Sequence, residues 1–229
     1  MDNSALNTEQ MFDSEQMFDS EQMFDSEQMF DSEQMFDSEQ EIYFYYWLKD
    51  LKDKGLVIDF IYEPDPFLLC DEAYVKWNKQ LKTKTKEQNN KIIHDLKYTI
   101  DFEIEWNDKT DGILTYTDDG IYTSSPRNLI YRDSNNKSYI EVKPSFNYQN
   151  MNRHVKVKIA WVYAKYSKYI QIITPNKLFQ ETFYPERYKY TLSGKSLRRS
   201  KVNGLYENVI DTHVFVNDYL SNNFKEPTN

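Results

Sequence analysis

The chain has 229 residues, one cysteine, three histidines and a formal net charge of -9. That length allows one good core and at most two small domains. Cys70 alone excludes an internal disulfide and a cysteine-built zinc site, and His94, His154 and His213 lie too far apart for a metal-ligand spacing.

The charge is unevenly spread. Residues 1–40 hold 12 acidic and no basic residues, whereas residues 41–229 sum to +3. Residues 143–201 carry 13 Lys/Arg against Glu181 and Glu186 alone, a local +11. Such a block suits a polyanionic partner, although a lysine-rich solvated surface has the same composition. No apolar run approaches membrane-spanning length. The acidic N-terminus is unlike a secretory signal, so a cytoplasmic protein without a membrane partner is expected.

Residues 11–40 are five tandem copies of MFDSEQ. Six helical residues turn through about 600°, so each Met-Phe pair lands roughly 120° from the last and no single apolar stripe forms. A segment this acidic and this poor in aliphatic residues does not bury a core. Residues 1–37 are expected to be a disordered acidic tail.

Ser38-Glu39-Gln40-Glu41 fits a capping box, and Gly55 suits the position just past a helix end. Between them Glu41, Phe44, Tyr45, Leu48 and Leu51 share one helical face. Glu41 is then either a capping residue or a carboxylate pointing under the sheet. Leu56 to Tyr62 reads as a strand ended by Glu63-Pro64-Asp65-Pro66, and the lysine-rich residues 71–91 read as an excursion or loop.

From residue 92 to 106 the pattern has a period of two, as in one long strand. His94, Leu96, Tyr98, Ile100, Phe102, Ile104 and Trp106 form the apolar face, with Asp101, Glu103 and Glu105 on the other. Residues 107–137 alternate turn signals with short apolar runs and read as a hairpin insertion. Tyr139-Ile140-Glu141-Val142-Lys143 follows, with Glu141 and Lys143 on one face and Ile140 and Val142 on the other. If the two strands pair, a carboxylate from each and the Lys143 ammonium meet above one face. Such a cluster can hold a hard divalent cation, an arrangement suited to cleaving phosphodiesters.

Beyond Pro144, Val155, Ile159, Val162, Tyr163 and Tyr166 recur at helical spacing, with Arg153, Lys156, Lys158 and Lys165 off that stripe. Tyr169 to Thr174 is a short apolar strand closed by Pro175. Strand, helix and strand in this order favour parallel pairing through a crossover. Residues 193–201, with Lys195, Arg198, Arg199 and Lys201, read as a flexible basic segment, and residues 205–220 as a last helix.

The ordered set resembles the PD-(D/E)xK nuclease superfamily, in particular its small phage-encoded endonucleases. The resemblance spans roughly residues 38–175. It is carried by the helix start at Ser38 to Glu41, Tyr98-Thr99-Ile100-Asp101-Phe102, Tyr139-Ile140-Glu141-Val142-Lys143 and the lysine-bearing helix 153–166. The chain departs from the pattern in lacking a proline before Asp101 and in the long Asp-to-Glu gap, so either Asp101 or Glu103 can be the first acid.

The resemblance implies an α/β (α+β) fold, a restriction-endonuclease-like core with a central mixed four-stranded sheet flanked by helices. Residues 38–175 would form this core, with insertions near 71–91 and 107–137, and residues 176–229 a basic C-terminal extension. It further implies hydrolysis of DNA with Mg²⁺ (or Mn²⁺), in the host cytoplasm if the protein is phage-encoded. Asp101 and Glu141 would bind the metal, with the Val142 carbonyl and Glu41 as auxiliary ligands. Lys143 would position water and stabilise transition-state charge. Arg153, Lys156, Lys158, Lys195, Arg198, Arg199 and Lys201 would hold the DNA backbone. The rival expectation is a catalytically silent DNA-binding or scaffold protein on the same fold.

Overall fold

The computed structural model describes residues 35–122, 129–144, 148–191, 199–202, 205–208 and 213–224, with the backbone alone for 148–153, 199–202 and 205–208. The MFDSEQ tail before residue 35 lies outside the described residues.

Helix α1 (Glu39–Asp53) begins as its sequence requires. Ser38 is extended at φ -146°, and its hydroxyl accepts from the Glu41 N–H at 3.3 Å. The helix stops at Gly55, whose φ of +70° is open to a residue without a Cβ. The Gly55 N–H donates to the Lys52 carbonyl and the Leu56 N–H to the Leu51 carbonyl, each at 2.9 Å. This paired closure satisfies two terminal carbonyls and brings Leu56 into the core beside Leu51.

The sheet at the centre has four strands in the order β1 (Val57–Tyr62), β6 (Phe102–Trp106), β9 (Lys137–Val142) and β10 (Ile170–Ile173). β6 runs antiparallel to both β1 and β9, and β9 runs parallel to β10. Helix α2 (Tyr148–Tyr166) makes the crossover between the two parallel strands. The protein is thus a mixed α/β fold around a mixed four-stranded sheet.

Two cores flank this sheet. Phe102, Ile104, Trp106, Ile140 and Val142 face α1 in the larger one, which is largely aromatic. Helix α1 is buried on more than the anticipated stripe, with Tyr43, Tyr46 and Trp47 also covered. Residues beyond 175 provide part of that cover. Helix α3 (Pro175–Glu181) and the turn after it bring Phe183 against Trp47 and Tyr188 against Tyr43, with ring centroids 5.5 and 5.1 Å apart. Helix α4 (Val216–Asn223) adds Val216 and Tyr219, occupying the end of the stretch read as a helix over 205–220. The smaller core joins Leu69, Tyr98, Ile100, Tyr139, Val162 and Ile170 under α2. Tyr163 and Tyr166, expected on the buried stripe of α2, are 59% and 38% exposed.

Other sequence expectations change. The excursion or loop expected at 71–91 is a long antiparallel hairpin, β3 (Ala73–Gln80) with β4 (Thr85–Ile93). The supposed single strand 92–106 is broken into the end of β4, β5 (Leu96–Tyr98) and β6, and β5 pairs with β2 (Phe67–Cys70). Alternation survives the break, which is why the sequence conceals it. Tyr98 and Ile100 enter the smaller core while Phe102 enters the larger. The insertion at 107–137 is no hairpin, because β7 (Thr115–Tyr116) and β8 (Ile130–Tyr131) pair in parallel. The basic stretch 193–201 ends in β11 (Arg199–Val202), paired with β12 (Leu205–Asn208), so its last residues are strand.

Candidate active site

Asp101 sits at the break between β5 and β6, one residue beyond the last register pair Phe102↔Ile140. Its backbone remains tied to both neighbouring strands. The Asp101 N–H donates to the Ile140 carbonyl at 3.1 Å, and its carbonyl accepts from the Glu63 N–H at 2.9 Å. The Val142 N–H donates to Asp101 Oδ2 at 2.6 Å. A side-chain oxygen therefore takes an acceptor role beside the backbone ladder and fixes the carboxylate against β9.

Glu141 and Lys143 come from the end of β9. Glu141 is only 5% exposed, yet both its oxygens have donors. Tyr98 donates its hydroxyl to Oε2 at 2.8 Å, and Lys143 Nζ lies 2.5 Å from Oε1. Burial, followed by the Glu141 charge, pushes the Tyr98 hydroxyl far above its ordinary range, so it stays a donor. The Lys158 ammonium stands 5.2 Å from the centre of the Tyr98 ring. Tyr98 was legible only as an apolar-face residue. Its one signal was a phenol on a core face, which needs a partner for its polar end.

The Asp101 carboxyl is pushed up to about 7. Burial is the largest cause, then the negative charge of Glu141; Lys143 and the Val142 N–H pull the other way, and Glu41 adds to the rise. Glu141 and Lys143 thus both act on the Asp101 carboxyl, and Lys143 pairs with Glu141. Glu103 does not stand in the same position, because Lys137 Nζ engages its Oε1 at 2.6 Å.

Glu41 is 6% exposed and is held at the start of α1. Ser38 Oγ donates to Oε1 at 2.7 Å, while the Asp37 N–H and the Tyr62 hydroxyl donate to Oε2 at 3.2 and 2.8 Å. Of the two roles open in the sequence, these bonds weigh toward capping, although its charge reaches Asp101.

The basic residues separate in the fold. Lys156 is exposed on α2, and Lys158 turns toward Tyr98. The side chains of Arg153, Lys195, Arg198, Arg199 and Lys201 lie outside the described residues.

A buried and a half-buried carboxylate beside one ammonium suit a hard cation, because burial first, and then the charge of Glu141, raise the Asp101 carboxyl and a cation would offset both. Among the described residues no group of three or more His, Cys, Asp or Glu side chains is arranged for a metal. A cation at this place would draw on the Asp101–Glu141 pair, with water or substrate oxygens as further ligands. Among the described residues no helix is long and apolar enough to cross a membrane. No protein-family model, curated protein or solved structure matches the chain.

Proposed function

We propose that the chain is a metal-dependent endodeoxyribonuclease of the PD-(D/E)xK kind, which hydrolyses DNA phosphodiesters with Mg²⁺ or Mn²⁺. The observation that carries this reading is the convergence of Asp101, Glu141 and Lys143 from adjacent antiparallel strands. Element order supports it. A helix, three antiparallel strands, a crossover helix and a parallel fourth strand follow the sequence expected of a restriction-endonuclease-like core.

In this reading Asp101 and Glu141 hold the cation, held in turn by the Val142 N–H and the Tyr98 hydroxyl. A cation held there would supply an activated water and a counter-charge for the phosphate. Lys143 is half-buried beside Glu141, so its ammonium acts in a partly water-excluded place where charge develops on the phosphate.

The test is incubation of the full chain with plasmid and branched DNA in Mg²⁺, Mn²⁺, Ca²⁺ or chelator. Cleavage with Mg²⁺ or Mn²⁺, abolished by chelator, is the expected result. Binding of DNA with no cleavage of any form would replace this reading with that of a silent DNA-binding protein.

A further inference from the structure

The β3–β4 hairpin joins neither core. Its strands pair only with each other, and nearly every residue in them is exposed. At about 3.4 Å per residue, strands of this length form an arm on the order of 27 Å long. Six lysines and one acid, Glu87, lie between Ala73 and Ile93.

The two faces of the arm differ. Directly opposed residues share a face. On one face Lys91 is paired with Glu72, and Lys76 lies 3.7 Å from Glu87. The other face carries Trp77 opposite Gln88, Val75 opposite Asn90, and Lys79 opposite Lys86. Among the described residues neither Lys79 nor Lys86 has an acidic partner. Two like charges set directly across a ladder destabilise the hairpin, so this face gains from an anion. Trp77 is 43% exposed beside them, and Lys82 and Lys84 extend the charge into the turn.

The arm is also placed by the fold. The chain leaving β4 forms β5, whose last residue, Tyr98, holds Glu141. The stem strand β2 is tied to α2 through the Leu68 carbonyl, which accepts from Tyr166 and Lys165 at 2.8 Å each.

We propose that the β3–β4 arm is a DNA-binding ribbon that lies in the major groove of the duplex presented to the Asp101–Glu141 site. This rests on the nuclease reading and names its substrate as double-stranded DNA. The B-form major groove, about 12 Å wide, admits a two-stranded ribbon, whereas the deep, narrow groove of A-form RNA does not. Lys79, Lys86, Lys82 and Lys84 contact phosphates, while Trp77 and Gln88 face the groove floor.

The experiment is a salt-series binding titration of the full chain, in chelator, on a short DNA duplex and an RNA duplex of the same sequence. The variants are K79A/K86A and, as a control of equal charge on the neutralised face, K76A/K91A. Circular dichroism melting accompanies each variant. K79A/K86A is expected to bind DNA about tenfold more weakly near physiological salt, with a salt slope shallower by about 2, and to melt no lower than the wild type. K76A/K91A is expected to lose much less, and RNA binding to be weak and unchanged by either pair. Equal losses from both pairs, or none, in a protein that binds and cuts DNA would overturn the arm and leave the nuclease reading standing. Loss of a dimer by K79A/K86A with DNA affinity intact would overturn it in favour of a second copy. A wild-type chain that binds no DNA would overturn both readings.

Discussion

The chain buries acid in two neighbouring places and treats it in opposite ways. Glu41 at the head of α1 receives three donors, from Ser38, Asp37 and Tyr62, with no cation among them. Asp101 and Glu141 face each other from adjacent strands, share one nearby ammonium, and leave Asp101 strained toward protonation. Burial is almost the same in the two glutamates, at 6% and 5% exposure. Burial alone therefore does not distinguish the two places. What sets Asp101 apart is a second carboxylate close by: burial raises its carboxyl first and the Glu141 charge adds to that, beyond what the Val142 N–H and Lys143 offset, which is the pattern a cation site would use.

The largest way to separate the two places is through rate. Lys143→Ala is expected to slow DNA cleavage by about a hundredfold or more, the scale of losing one electrostatic catalytic group. DNA affinity in Ca²⁺ is expected to change little, because the ammonium acts on charge developing in the transition state. A cleavage time course beside a binding titration reads the split.

Next comes stability without metal. The Asp101 carboxyl is raised, so the folded chain holds a proton that the unfolded chain releases. Its contribution is fully present below the unfolded value near 4 and is lost as pH rises through about 7. Asp101→Asn retains an acceptor for the Val142 N–H and removes the repulsion. It is expected to abolish cleavage yet raise the melting point of metal-free protein at pH 8, by on the order of 2 kcal/mol of stability. Melting curves at pH 4 and pH 8 check this, the gain being absent at the lower pH.

Glu41→Gln is expected to act in the reverse sense. It weakens the helix start by about 1 kcal/mol, a fall of roughly 2–4 °C in melting temperature, and leaves cleavage within a few-fold of the wild type.

Asp50 sharpens the contrast as an intermediate case. It has one backbone donor, Glu186 N–H at 2.8 Å, and burial pushes it up to about 6. Stability from this group is present below about 4 and lost as pH rises through about 6. Asp50→Asn is expected to flatten the melting-temperature profile over that window, by up to about 2 kcal/mol, with no effect on cleavage.

Most of the central sheet was legible because each strand declares its faces. Glu141 and Lys143 must share a side once Ile140 and Val142 are buried, and Asp101 follows from pairing β6 with β9. The crossover strand was legible because a helix between two apolar strands favours parallel pairing. The break at Asp101 was hidden, because a period-two pattern does not reveal that Ile100 and Phe102 enter different cores. The arm was hidden for a different reason. Both its faces meet water, so no alternation of apolar and polar residues announces strands at 73–93. Tyr98 was hidden in plain alternation, its hydroxyl finding Glu141 only through tertiary pairing.

A paramagnetic Mn²⁺ titration of the wild type, Asp101→Asn, Glu141→Gln and Glu41→Gln tests the central claim most directly. The account predicts a Mn²⁺ site in the wild type that is kept by Glu41→Gln and lost in both Asp101→Asn and Glu141→Gln. Full binding by Asp101→Asn and Glu141→Gln, or loss confined to Glu41→Gln, would contradict it.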